Sequence, residues 1–450
     1  MLIMFDDSAS DEAKDGDGSG GDGSDGGSGG RGYGGGRGKK KSEETTQTTT
    51  PSTTTKTTPV PTKRPEAFIF CTVSAFSESG THEVFQSHFC DYFVYTHVLP
   101  YQNDILAYDS NQSWERFKKS ATAYRDKLDY TGFPNVTNTS TVKLHHYGYS
   151  FAADDLTWLK SQLSSVSAKV KQLHQENGLL TAGLAYYQRA NVAKDTNLGI
   201  IKNIITSIDG MLDKAQDKNT TILKTTFLAV KLNGLTASAP NDVAALQELK
   251  GVANLDLLIL LTHLVDVPAA PSCKILPLSR YSGDALSYME PPSMERLLAS
   301  IDKLKGASFR VAFSISFAVY LFKPTGGLKD TTKFGDNCTH SFYDDTSELC
   351  GVPDANITEN ADPAKSSATY SKKPDGVFMV FETKNATLLK VSQASTAARE
   401  KGVMLTWAAY EVHRDRMLCG GDTKKTLERL EVLNDAVVAD YAPKEKDSQG

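Results

Sequence analysis

A (β/α)8 barrel (TIM barrel, α/β class) is the fold that this sequence predicts, and three observations predict it. Eight apolar, β-rich runs recur between residues 65 and 445, helix-like stretches separate them, and a last helix-like stretch can close the chain. Most of the runs are continuously apolar rather than alternating, the pattern of strands buried on both faces of a parallel sheet. Strands that alternate with helices in this number match a closed barrel. An open doubly wound sheet is the competing architecture, but no G-x-G-x-x-G follows any of the runs to support nucleotide binding.

The elements follow in order. Residues 1–64 are expected to be a disordered stalk. Residues 15–38 are mostly Gly, Asp and Ser, with no apolar surface to offset the entropy of ordering. The Thr/Pro-rich tract that follows has the composition of an extended, O-glycosylated spacer. The globular domain spans 65–445. Its strands are expected at Ala67–Ser74, Asp91–Val98, Val142–Tyr149, Leu179–Tyr187, Thr226–Leu232, Leu255–Leu264, Phe309–Phe322 and Val403–Tyr410. Helices are expected at Trp114–Leu128, Asp154–Gln175, Leu198–Ala215, Asp242–Leu249, Met294–Leu304, Ala386–Glu400 and Lys424–Tyr441. Residues 323–376 interrupt the alternation with Gly, Pro, Asp, Thr and two cysteines, and the extra strand-like run Val377–Phe381 follows. An insertion between strands seven and eight lies at the C-terminal mouth, where barrels of this kind build their ligand sites.

Composition narrows the function. The formal net charge is −5, which suggests neither nucleic acid nor an anionic membrane surface as partner. No segment approaches the length of a membrane span. Seven Asn-x-Ser/Thr sequons begin at Asn111, Asn135, Asn138, Asn219, Asn337, Asn356 and Asn385, and six cysteines accompany them. Sequons matter where oligosaccharide transfer occurs, and an even cysteine count agrees with an oxidising compartment. The expectation is an extracellular, disulfide-bonded glycoprotein, secreted or held on its stalk. Met1–Phe5 is too short for a signal peptide and meets Asp6 and Asp7 at once, so the export signal or anchor is expected upstream of Met1. The sequence offers no zinc spacing, no nucleophile elbow and no phosphate loop, so no metal and no cofactor are expected. His145 and His146 are adjacent and would face opposite sides of a strand.

Three segments resemble glycoside hydrolase family 18, the chitinases and chitinase-like lectins. "FIFCTVSAF" (68–76) followed by "HFCDYFVYTHV" (88–98) is similar to the family's first two strands, whose cysteines are bonded in many members. "LDLLILLTHL" (255–264) resembles its sixth strand, and "KGVMLTWAAYEVHRDRMLCGG" (401–421) its eighth. The resemblance nominally covers 67–441 and implies a bridge between Cys71 and Cys90. A bridge between Cys350 and Cys419 would staple the insertion to the end of strand eight, which leaves Cys273 with Cys338.

The departures from the family govern the functional expectation. Family 18 catalysis needs an Asp-x-x-Asp-x-Asp-x-Glu run ending strand four, whose Glu protonates the leaving oxygen. That spacing is absent from this chain, and strand four reads "LLTAGLAYYQRA" instead. At strand six His263-Leu264 stands where the family has Tyr-Asp, and Trp407 comes one residue late after Met404. The resemblance therefore implies a chitinase-like pseudo-enzyme that binds a glycan at the barrel mouth, bordered by Tyr187, His263, Asp266, Trp407 and Glu411. Tyr149 and Tyr320 are further candidates for stacking on sugar. An extracellular protein partner is the alternative, and a glycosidase with its acid relocated to Glu411 or Asp266 is the third reading.

Overall fold

The computed structural model describes residues 68–76, 85, 87–131, 145–152, 155–186, 197–216, 223–232, 239–353, 356–359, 367–372, 375–415 and 427–441, all within the unit Thr58–Gly450. The expected stalk, Tyr187, Cys419 and the sequons at Asn135, Asn138 and Asn219 lie outside these residues.

In chain order β1 (Ile69–Val73), β2 (Tyr92–Tyr101), β3 (Asp104–Ala107), β4 (His146–Phe151), β5 (Leu179–Leu184), β6 (Thr225–Val230), β7 (Leu257–Leu260) and β8 (Arg310–Ser316) lead to an insertion. The insertion holds β9 (Val319–Pro324), β10 (Cys338–Asp344), β11 (Ala368–Lys372) and β12 (Val377–Phe381), and β13 (Leu405–Tyr410) returns to the barrel. β1, β2, β4, β5, β6, β7, β8 and β13 pair in parallel in that order, and β13 meets β1, so the sheet closes. Closure leaves no free edge between these eight strands. β3 folds back antiparallel on β2 as a short hairpin that the apolar pattern does not single out.

The helices are α1 (Asn111–Thr131), α2 (Leu156–Leu163), α3 (Ser167–Asn177), α4 (Asn197–Ala215), α5 (Ala239–Lys250), α6 (Met294–Ser300), α7 (Lys384–Glu400) and α8 (Glu428–Tyr441). Their ends follow local chemistry. The Asp155 carboxylate accepts the Trp158 N–H (2.9 Å) at the start of α2, and the Thr383 hydroxyl accepts the Ala386 N–H (3.1 Å) at the start of α7. Gly178, at φ 73°, ends α3 in the left-handed conformation that a Cβ disfavours. The expected helix over 154–175 is divided into α2 and α3 by a 3-10 turn at Ser164–Val166.

Two apolar layers hold the barrel. The larger joins the outward faces of the strands to the helices, with Ile204, Ile208, Leu212 and Val391 packed against Leu180, Leu228, Phe313 and Trp407. The smaller fills the lumen and holds no helix residue; Phe70, Tyr92, Phe227, Ile259, Ala312 and Tyr410 belong to it. The apolar run at 309–322 is two strands rather than one. β8 ends at Ser316, and β9 belongs to the insertion, which therefore begins before residue 323. An apolar run reads as one strand when both halves are buried, but the two halves are buried in different cores.

The insertion is an antiparallel sheet of order β10-β9-β12-β11 with an apolar cluster on each face. One cluster includes Leu264, Ile275 and Leu278 from the long segment after β7, so that segment packs beneath the sheet. The Cys273–Cys338 disulfide joins the same two parts, and Cys71–Cys90 joins β1 to the start of β2, both as expected. Cys350 is also disulfide-bonded. Asn111, Asn337, Asn356 and Asn385 are all exposed. No described helix is long and apolar enough to cross a membrane.

Candidate functional site at the barrel mouth

Side chains of a strand alternate between faces, so the register of each strand decides what reaches the lumen. On β5, Ala182 and Leu184 belong to the sheet–helix layer, which turns Thr181, Gly183 and Ala185 inward. These residues are small, and Gly183 has to be: a Cβ there would run into the Phe227 carbonyl oxygen. Rings from across the barrel occupy the space. Tyr410, the last residue of β13, donates its hydroxyl to the Ala185 carbonyl (2.7 Å) and lies 4.4 Å from the His263 ring. The His263 Nδ1 meets Ser314 Oγ at 2.7 Å. Burial, with a smaller contribution from the Lys231 charge, lowers the His263 pKa to about 3, so its ring is neutral at physiological pH.

Above this plug stand two polar groups. The first is Lys231, the residue after β6, buried to 1% exposure and paired with Asp266. Its ammonium also donates to the Met289 carbonyl, and the Tyr186 hydroxyl donates to Asp266 Oδ1 (2.5 Å). A buried ammonium needs such partners, because desolvation alone is costly. Sequence reasoning found Asp266 but missed Lys231 and Tyr186. The available signal was a lysine closing the apolar run "TFLAVK" at the C-terminal end of a strand.

The second group surrounds Glu411. This residue holds a left-handed backbone (φ 57°, ψ 40°), a conformation that costs a non-glycine residue on the order of 1 kcal/mol or more. Its N–H donates to Thr72 Oγ1 (3.1 Å), and its carboxylate accepts the Ser74 hydroxyl (2.8 Å) and Arg414 Nε (3.2 Å). On the next residue of β1's end, the Ala75 N–H donates to Asp109 (3.3 Å), which also accepts the Tyr95 hydroxyl (3.2 Å). Asp109 is exposed as a residue, yet its carboxyl lies against the wall, and desolvation raises its pKa. The Arg414 guanidinium lies 4.6 Å from the centre of the Tyr343 ring, on the insertion, and Tyr343 stacks obliquely on Tyr320 at 5.7 Å. Tyr320 donates its hydroxyl to the Leu264 carbonyl (2.9 Å), next to the first group. The two groups thus form one arc, from Asp266 past Tyr343 and Arg414 to Glu411 and Asp109. Tyr343, at 37% exposure, is its open ring.

The expected site is brought together only in part. Asp266 and Glu411 reach the arc, each with a partly exposed side chain. His263 is buried beneath it at 2% exposure rather than bordering an opening. Trp407 is corrected outright. It is fully buried in the sheet–helix layer, its indole N–H donates to Ser395 Oγ on α7 (3.1 Å), and Phe313 packs against it edge-on. The late spacing after Met404 is the reason: one residue of offset turns a strand side chain to the other face. Tyr149 is likewise fully buried in the outer layer, and Tyr320 supports the arc from below. His146 stacks on Tyr92 in the lumen while His145 packs on the outer rings of Phe93 and Tyr124, opposite sides as expected. Among the described residues no group of three or more His, Cys, Asp or Glu is placed to hold a metal ion.

No family model matches the chain, and no curated protein matches it in sequence. Solved structures do match in fold. Catalytic domain 2 of the Group II chitinase from Ostrinia furnacalis superposes with a TM-score of 0.55 at 12% identity, covering 84% of this chain and 98% of its own. The protein YKL-39, solved in the presence of chitooligosaccharides (GlcNAc4), gives 0.56 at 12% identity over 84% and 100%. A chitinase-like agglutinin from Robinia pseudoacacia gives 0.52 at 12% identity over 81% and 99%. The closed parallel barrel is thus the fold of family 18 chitinases and chitinase-like proteins.

Proposed function

We propose that this chain is a divergent, chitinase-like protein of the family 18 type that binds a glycan at its barrel rim without hydrolysing it. The carrying observation is the inward face of β5, where Thr181, Gly183 and Ala185 offer no acid and Tyr410 closes on the Ala185 carbonyl. A proton donor at the leaving oxygen is what glycoside hydrolysis requires, and neither a phenol nor a small side chain supplies one at neutral pH. Glycan recognition needs less: an open ring to stack on a sugar face and polar groups to meet its hydroxyls. Tyr343, Arg414, Glu411, Asp109 and Asp266 supply both along the arc. The chitinase-like agglutinin and the YKL-39 structure with GlcNAc4 support a carbohydrate as the ligand class. The exposed sequon asparagines and the paired cysteines support a secreted glycoprotein.

Calorimetric titration of the purified domain with chitotetraose, beside a fluorogenic chitobioside assay, tests the reading. Binding without turnover is expected. Turnover that persists on repurification and disappears in Glu411→Gln would assign an acid to the end of β13, a reading that the Asp109 and Glu411 carboxylates on either side of Ser74–Ala75 favour. Absence of both binding and turnover would transfer the arc to a protein partner.

A further inference from the structure

The insertion leaves the barrel at Phe317 and returns at Glu382, and one side chain grips both points. Arg429, on α8 and 6% exposed, donates from Nη2 to the Phe317 carbonyl (2.5 Å) and from Nη1 to the Glu382 carbonyl (3.2 Å). Its Nε donates to Asp415 Oδ1 (2.8 Å), and the guanidinium lies 5.1 Å from the centre of the Phe317 ring. Asp415, itself buried, accepts the N–H groups of Arg429 (3.1 Å) and Leu430 (3.0 Å) on its other oxygen, so it also caps α8. The returning end is held a second time. The Glu382 carboxylate accepts Lys390 Nζ on both oxygens at 2.8 Å and the hydroxyls of Ser279 (2.6 Å) and Ser367 (3.2 Å), with Lys390 and Glu382 fully buried. Three acceptors in three directions suit the rigid planar fork of an arginine and not the point charge of a lysine.

The clamp adjoins the rim. Asp415 follows Arg414, whose guanidinium lies over one face of Tyr343, and the Arg414 carbonyl accepts the Thr346 hydroxyl (3.3 Å) from the insertion. The Phe317 N–H donates to the Tyr410 carbonyl (3.0 Å), one residue before Glu411. The angle between the insertion and the barrel end therefore sets how far Tyr343 stands from Glu411 and Asp109. We infer that Arg429 is a positioning residue, which holds the insertion at the angle where Tyr343 and the end of β13 face one ligand together. This inference rests on the rim reading above for its ligand and stands on the buried hydrogen bonds for its mechanics.

The test is Arg429→Lys in the full chain, followed by amide hydrogen exchange and by titration with chitotetraose. Exchange at 317–324 and 377–382 is expected to quicken at least tenfold, with the amides of β5, β6 and β7 unchanged. Affinity for chitotetraose is expected to fall at least threefold although Arg429 touches no rim side chain. Should Arg429→Lys not fold, the charge-free pair Arg429→Gln/Asp415→Asn carries the same measurements. Uniform quickening across the barrel, or none at the two junctions, overturns the clamp. Quickened junctions with unchanged affinity overturn the positioning role. A wild-type chain that binds no chitotetraose refutes the rim reading instead, and the positioning role with it, while the exchange result still decides the clamp.

Discussion

The lumen of this barrel is lined by rings and small residues, Phe70, Tyr92, Phe227 and Tyr410 beside Gly183 and Ala185, whereas its insertion-side rim carries Asp109, Glu411, Arg414 and the open ring of Tyr343. The same eight strands serve both regions. In the lumen Tyr410 is closed against the Ala185 carbonyl and His263 against Ser314. On the rim, side chains are tied at one end and open at the other. The contrast teaches that a barrel can fill its axis with packing and still carry a polar border, because the border is built by segments beyond the strand ends.

Substitutions in the packed layers and on the rim give the sharpest way to break this contrast. Trp407→Ala should cost about 3–5 kcal/mol of stability, the range for emptying a buried aromatic site. Folded Trp407→Ala protein should keep its glycan affinity, since the ring faces α7; denaturant melts beside titrations would show it, and a loss of affinity at unchanged stability would return Trp407 to the site. Replacing Cys71 and Cys90 by serine should cost about 2–5 kcal/mol, read in the same melts. The opposite signature belongs to the rim. Tyr343→Ala should weaken chitotetraose binding about tenfold, roughly 1.4 kcal/mol, and leave the melting midpoint in place. If Tyr343→Ala instead unfolds the domain, the rim is core and the contrast fails.

The remaining effect is a pH slope. His263 has a folded pKa lowered to about 3 by burial, against about 6.5 unfolded. The unfolded chain therefore takes up this proton first as pH falls. The histidine favours the folded state fully above about pH 6.5, and stability declines by up to about 1.4 kcal/mol per pH unit between about 6.5 and 3. Comparing that slope in wild type and His263→Gln isolates it. An unchanged slope would mean that the ring reaches solvent.

The number of barrel strands, their buried character and the insertion before the last of them were legible in the sequence, because continuous apolar runs and a break in their rhythm are local properties. The Cys71–Cys90 bridge was legible through the family resemblance of two adjacent segments. Asp266 and Glu411 were legible as charges just beyond apolar runs. Other features depend on partners distant in the chain. Lys231 is explained by Asp266 and Met289, and Arg429 by Phe317, Glu382 and Asp415. The facing of Trp407 depends on register, which alternates with each residue and is set only when β13 pairs with β1 and β8. The sequence by itself determined which segments become the eight barrel strands and the helices between them, since burial on both faces demands apolar residues wherever the strand lies. The tertiary structure alone decided which side chains meet, since a contact across the barrel depends on closure and register, and neither is written in any one segment.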